Sequence, residues 1–330
     1  MRGPQCWQKL FDRPPSRFAH DVPYEKQVHR ARLAPNPPLA SGKLFPRHRG
    51  ASCVNNPLVV EVFPSVLLLI PAYNEEARIE PVLRSYAQFF RAHYQGKFQL
   101  VVVLNGCRDN TLGVVRRVGA DFPEVSALEF PAPIGKGGAL IEGLRLAPRA
   151  DLVGYVDADG ATEPPAFLDL VRRSGEADCV IGSRWIPGAV LHQSQSSRRQ
   201  FASRVFHRIV QFFFRMNIRD TQCGAKVIHP AAVQKIHASL CIADMAFDIN
   251  LLFLLKRAGF RVLEVPTEWT DKTGSKVALG KTSLTMLLSV IRLRTIYSPL
   301  NPLRKLFAPA ETWLYQKLNL YPPNPDPKLH

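Results

Sequence analysis

Asp157 and Asp159 stand two residues apart, directly after the apolar run Leu152-Val153-Gly154-Tyr155-Val156. The run reads as a buried strand. Side chains repeat every second residue along extended backbone, so both carboxylates project in roughly one direction. Two such charges repel unless a cation lies between them. A hard divalent ion, held by one or two carboxylates and completed by substrate phosphates, is the usual chemistry of such a pair. A solvated turn is the plainer reading of a single Asp-x-Asp, and the neighbouring motifs decide between the two.

Apolar runs recur on both sides of the pair. Val66-Leu67-Leu68-Leu69-Ile70 predicts a buried strand that runs into Pro71-Ala72-Tyr73-Asn74-Glu75-Glu76, with a helix following through Phe90. Leu100-Val101-Val102-Val103-Leu104 predicts a second strand, ending in Asn105-Gly106-Cys107-Arg108-Asp109-Asn110-Thr111. A helix follows from that Asp-Asn-Thr cluster and fades by Val118. A weak third strand covers 126–130, and Ile134-Gly135-Lys136-Gly137-Gly138 leads into a helix that opens near Ala139. Strand and helix alternate four times at short spacing. The pattern predicts an α/β fold, a mostly parallel sheet with helices on both faces. Ligands of such sheets bind beyond the carboxyl ends of the strands. Every polar motif named above falls at one of those ends, which favours the metal–nucleotide reading.

Farther on, Cys179-Val180-Ile181-Gly182-Ser183-Arg184 predicts a strand with a basic tip, followed by a polar loop over 186–197. Residues 197–215 have helical period, with Phe201, Val205, Ile209 and Phe212 on one side and Arg204, Arg208 and Arg215 on another. A basic amphipathic helix suits a membrane interface, and equally a core-packed helix with a solvated face. Asp220-Thr221-Gln222-Cys223-Gly224-Ala225-Lys226 comes next. Phe247-Asp248-Ile249 opens a helix to Arg257, with Gly259 as its C-cap. A strand at 261–265, a polar loop over 269–281 containing Gly274-Ser275-Lys276, and an amphipathic segment at 284–297 with Arg292 and Arg294 complete the pattern.

The chain has 330 residues, 46% of them apolar, with 43 Lys+Arg against 27 Asp+Glu for a net charge of +16. It is long enough for one large α/β domain, and its charge favours an anionic partner. Residues 1–62 read as a basic Pro/Arg-rich arm without regular structure, and 301–330 as a Pro-rich tail. Six cysteines without CxxC or zinc spacing suit a reducing compartment. No stretch reaches the ~18 apolar residues of a membrane span, and the N-terminus has no hydrophobic leader. The expected location is cytoplasmic, in solution or against the cytoplasmic face of a membrane.

Taken in order, Pro71-Ala72-Tyr73-Asn74-Glu75, Asn105-Gly106, Gly135-Lys136-Gly137-Gly138, Asp157-Ala158-Asp159-Gly160-Ala161-Thr162, Gly182-Ser183-Arg184, Asp220-Thr221-Gln222-Cys223-Gly224 and Gly274-Ser275-Lys276 resemble the GT-A family 2 glycosyltransferases. The branch most similar is the dolichyl-phosphate β-glucosyltransferases. The resemblance covers about 66–297 and implies a GT-A, Rossmann-like domain over 63–300 with C-terminal amphipathic helices. It implies that Pro71, Ala72, Tyr73, Glu75 and Asn105 hold the uridine part of a sugar nucleotide. Asp157 and Asp159 would bind Mg²⁺ or Mn²⁺ on the diphosphate, with Asp159 counted as catalytic, and Lys136 and Lys276 would be diphosphate cations. Arg184 and Arg198 would face an acceptor phosphate. Asp248 would be the general base for a hydroxyl acceptor, or would orient a phosphate acceptor that is already ionised. Relatives with Asp-Asp-Gly-Ser after the second strand differ from Leu104-Asn105-Gly106-Cys107 here, so base contact rests on Asn105. Ala161 stands where the mannose-synthase branch has a Gln ligand.

The reading that follows is a metal-dependent inverting transferase moving a hexose, glucose being expected, from a UDP-sugar to a polyprenyl (dolichyl-type) phosphate. The alternative keeps the donor chemistry with a soluble acceptor, a sugar or a small phosphorylated acid. A non-enzymatic basic protein binding nucleic acid through residues 1–60 is a distant third. With no RNP, KH, helix-turn-helix or zinc signature, no nucleic-acid partner is expected.

Overall fold

The computed structural model describes residues 63–191, 197–270 and 279–298. The basic arm, the Pro-rich tail, residues 192–196 of the loop at 186–197, and the Gly274-Ser275-Lys276 loop lie outside the described residues, as do the side chains of 197–202 and 279–283.

Seven strands form the main sheet: β1 (Val66–Ala72), β2 (Phe98–Asn105), β3 (Val125–Phe130), β4 (Leu152–Tyr155), β5 (Cys179–Ser183), β7 (Lys226–Ile228) and β8 (Val262–Pro266), in the spatial order β3-β2-β1-β4-β7-β5-β8. A two-stranded ribbon pairs β6 (Val190–Leu191) with β9 (Glu268–Trp269). The helices are α1 (Ile79–His93), α2 (Thr111–Asp121), α3 (Gly135–Leu144), α4 (Pro164–Arg172), α5 (Ser197–Phe214), α6 (Pro230–Ile236), α7 (Phe247–Arg257) and α8 (Leu279–Ile296).

The continuous apolar runs form strands because both faces of the sheet are covered. Along β1, Leu67 and Leu69 enter one core with α3, α6, α7 and the inner side of α8, while Val66, Leu68 and Ile70 enter the other with α1, α2 and α4. β1 lies between β2 and β4, parallel to both, with Leu69 opposite Val101 and Tyr155. The turn after β1 and the carboxylate pair after β4 therefore open at one edge of the sheet.

The strand and helix expectations hold for most of these elements; the β6–β9 ribbon falls where polar loops were expected, over 186–197 and from 269, and there are three further departures. β7 runs antiparallel between β4 and β5. It is three residues long and too short to show a period. α4 and α6 were not anticipated; both begin with Pro, whose fixed φ suits a first helical turn. α3 begins at Gly135 rather than near Ala139. A Cβ on Gly137 would lie 2.4 Å from the Ile242 carbonyl oxygen, and the Gly138 N–H donates to the Ala243 carbonyl at 3.1 Å. Packing against the loop before α7 thus fixes a helical turn that glycine disfavours by about 1 kcal/mol per residue.

Candidate active site

Asp157 and Asp159 follow β4, and each acts electrostatically on the other: the Asp159 carboxyl is raised above the ordinary range, by burial first and then by the charge of Asp157. Asp159 Oδ1 accepts the Ala161 N–H at 2.9 Å, which closes the turn and aims the side chain. The backbone of Gly224 lies against the other carboxylate, so close that a Cβ there would stand 2.3 Å from Asp157 Oδ2.

Lys136, in the first turn of α3, places its ammonium 2.6 Å from Asp157 Oδ1. Burial works against that charge, yet Asp157, Asp248 and Asp159 together outweigh it and raise the lysine above its ordinary value. Lys136 is therefore in direct contact with Asp157 and within the field of the other two carboxylates.

Asp248 lies in the first turn of α7 and caps no helix with its side chain. Its Oδ1 accepts two donors, Lys226 Nζ at 2.5 Å and Tyr155 Oη at 2.5 Å, with the whole residue 2% exposed. Burial alone would raise this carboxyl; Lys226 and then Lys136 outweigh it and hold it below the usual range. Asp248 Oδ1 is thus paired with Lys226 and Tyr155, an arrangement that favours the second of its two expected roles, orienting an acceptor already ionised, over taking a proton from a hydroxyl. Lys226 was not singled out as a site residue. It is fully buried in β7, opposite Tyr155 in the ladder, and also donates to the Cys223 carbonyl at 2.6 Å. One lysine thus ties Asp248 to the segment that flanks Asp157.

Arg184 follows β5. Its Nε and Nη2 donate to the two carboxylate oxygens of Asp220 at 2.7 and 2.9 Å, and its backbone N–H adds a third bond at 3.0 Å. Burial would raise Asp220, but Arg184 more than offsets it and keeps the acid ionised. The expected phosphate contact of Arg184 must coexist with this structural pair. Two buried polar atoms next to it, Ser183 Oγ and Gln222 Nε2, have no hydrogen-bond partner among the described residues. Cys223 is buried with its thiol pushed up to about 11 by that burial, so it packs and carries no chemistry.

The nucleotide-side residues divide. Pro71 and Ala72 are the last residues of β1, with the Ala72 side chain buried. Tyr73 is 40% exposed beside Asn74, whose φ is +55°. Glu75 makes two bonds of 2.8 Å to Arg78, while its N–H donates to Thr111 Oγ1. Asn105 is buried, and its Oδ1 accepts the Ile134 N–H at 2.6 Å, fixing the entry to α3. Arg198 lies in α5 with its side chain outside the described residues, as is the whole of Lys276.

Among the described residues, no three His, Cys, Asp or Glu side chains gather as a metal site. The pair Asp157 and Asp159 nonetheless fits a hard divalent ion whose remaining ligands are water and phosphate: the donors are oxygens, and the charge of Asp157 raises the Asp159 carboxyl as an unneutralised pair would.

A mostly parallel sheet with paired carboxylates at a central strand end places them where open α/β sheets bind their ligands. The chain belongs to Glycosyl transferase family 2, whose profile matches residues 67–236. It is similar to the dolichyl-phosphate beta-glucosyltransferase of Drosophila melanogaster, at 33% identity over 66% of this chain and 71% of that one, and to that of Dictyostelium discoideum, at 29% over 76% and 80%. It is also 32% identical to glycosyltransferase AglD of Haloferax volcanii over 69% of this chain, spanning 36% of that longer protein. Among solved structures, the fold is shared with glucosyl-3-phosphoglycerate synthase from Mycobacterium tuberculosis in complex with Mn²⁺, UDP and glucosyl-3-phosphoglycerate (TM-score 0.53, 19% identity, 72% of this chain and 82% of that one).

Proposed function

We propose that this chain is an inverting hexosyltransferase that moves glucose from a UDP-sugar to a polyprenyl phosphate of the dolichyl type. The observation that carries the proposal is the convergence of Asp157, Asp159, Lys136 and Asp248 at the strand ends of a family 2 domain whose relatives include named dolichyl-phosphate beta-glucosyltransferases.

Asp157 and Asp159 would hold Mg²⁺ or Mn²⁺ on the diphosphate, and the ion would stabilise the charge that builds on the departing UDP. Lys136 adds a positive charge beside that leaving group. In the reaction, the bond from the sugar anomeric carbon to the donor phosphate oxygen breaks and UDP keeps the electron pair. A new bond forms from that carbon to an acceptor phosphate oxygen on the opposite face. A phosphate monoester has its second pKa near ~6, so at neutral pH it attacks without losing a proton. That suits a site whose buried acid, Asp248, serves as counter-ion to Lys226 and Lys136.

Among the described residues, no helix is long and apolar enough to cross a membrane. The outer sides of α5 and α8 supply a surface for a lipid-borne acceptor. Val205, Phe212, Leu284 and Ile291 are exposed there beside Arg204, Arg208, Arg215 and Arg294, and neither helix contains an Asp or Glu. Arg292, expected on this basic face, is buried instead and donates to the Cys241 carbonyl at 3.5 Å.

The test is UDP release from UDP-glucose with Mn²⁺, measured with dolichyl phosphate, with a soluble phosphorylated acid, and with neither. Release that rises only with dolichyl phosphate is the expected result. Release that rises only with the soluble acid assigns the acceptor to that class, and no sugar transfer to either refutes the reading.

A further inference from the structure

Five charged side chains meet at the strand ends: the carboxylates of Asp157, Asp159 and Asp248 and the ammonium groups of Lys136 and Lys226. Arg78 also acts on Asp159, but Glu75 neutralises it through two hydrogen bonds. The five carry one net negative charge. Lys226 is committed to Asp248 and the Cys223 carbonyl, both in the buried interior. Lys136 is different: its side chain is 18% exposed, that of Asp157 36%, and its ammonium covers Asp157 Oδ1 at 2.6 Å. That oxygen belongs to the pair suited to a divalent ion.

A divalent ion arriving alone would meet an occupied oxygen and would turn the cluster net positive. It would also leave Lys136 without its closest partner in a part-buried position, where an uncompensated charge is costly. A sugar nucleotide brings a diphosphate with two negative charges. It gives Lys136 a new partner and returns the cluster to one net negative charge. We propose that Lys136 is a resident cation on Asp157 that is exchanged for the divalent ion, the incoming diphosphate taking over the ammonium, so that metal and nucleotide bind as a coupled pair. The inference rests on the metal reading of Asp157 and Asp159. It predicts that neither ligand binds well alone. Such coupling is reciprocal, each ligand tightening the other by one common factor.

Titration of Mn²⁺ into the full-length protein, read by the electron paramagnetic resonance of free Mn²⁺ with and without UDP, tests this directly. Wild type should bind Mn²⁺ alone weakly, and UDP should tighten it by about tenfold or more. Lys136→Met should bind Mn²⁺ alone about tenfold more tightly than wild type and show a smaller tightening by UDP, the remainder coming from phosphate oxygens on the ion. Lys136→Arg, which keeps the charge, should stay closer to wild type than Lys136→Met in its weak binding of Mn²⁺ alone, with circular dichroism checking that both variants fold. If UDP tightens Mn²⁺ in wild type but Lys136→Met gains nothing for Mn²⁺ alone, the exchange is overturned and the metal site stands. If no protein binds Mn²⁺ under either condition, the exchange and the metal reading fall together.

Discussion

Lys226 and Asp248 are 22 residues apart in sequence, and the ammonium of one lies 2.5 Å from Oδ1 of the other where both side chains are essentially removed from water. Tyr155 donates to the same oxygen, and the Cys223 carbonyl takes another proton of the lysine, so the pair sits within a hydrogen-bonded network. Breaking one side of such a pair leaves a buried charge without compensation.

Lys226→Met is therefore expected to lower stability by roughly 3–5 kcal/mol, and the double variant Lys226→Met/Asp248→Leu by less than the single one. Urea denaturation of the two variants against wild type measures this; a double variant less stable than Lys226→Met would contradict the pairing.

The pH dependence has two opposite components. Asp248 is depressed, so its stabilisation is fully present above the ordinary carboxylate value of about 4 and is lost as pH falls through its lower native value. Asp159 is raised, so the native state binds its proton more readily and stability falls as pH climbs from about 4 through the native value. Asp159→Asn should remove the second component and leave the first. Melting temperature measured across pH 3 to 7 in metal-free buffer tests both signs.

The two carboxylates of the pair should also part company in their effect on the apo protein at neutral pH. Asp159→Asn keeps an oxygen for the Ala161 N–H and removes a repulsive charge, so it should gain about 0.5–2 kcal/mol while sugar transfer is lost. Asp157→Asn breaks the contact with Lys136 and should give no such gain. Thermal melts alongside a transfer assay distinguish them; equal melting shifts would show that Lys136 does not lean on Asp157.

Gly224→Ala should push the Asp157 carboxylate from its place, because the new Cβ would meet Oδ2 at 2.3 Å. We expect a stability cost of about 1–3 kcal/mol, and a loss of transfer on the order of 100-fold from a misplaced ligand. A variant with normal kcat/KM would mean that the contact is unimportant.

On the outer face, Phe212 is 77% exposed. Phe212→Ser with Ile291→Ser should leave the melting temperature nearly unchanged and reduce co-sedimentation with vesicles containing anionic lipid. Unchanged sedimentation would remove this face from the lipid-contact proposal.

The sequence by itself determined the six longer strands and most of the helices, because apolar runs and periods of two and 3.6 residues are local properties that survive without coordinates. It also determined that Pro71, Asn105, Lys136 and Asp157 gather at one edge, since a parallel sheet brings its strand ends together whatever the loops do. Tertiary structure alone decided how the charges pair. Only the structure shows that Arg184 is paired with Asp220, that Lys226 and Tyr155 both donate to Asp248 Oδ1, and that α8 buries Arg292. Lys226 sits in a three-residue antiparallel strand with no periodic signature of its own. The energy of a charge depends on its distance from other charges and from water, and both are set by the way strands and helices pack rather than by their order in the chain.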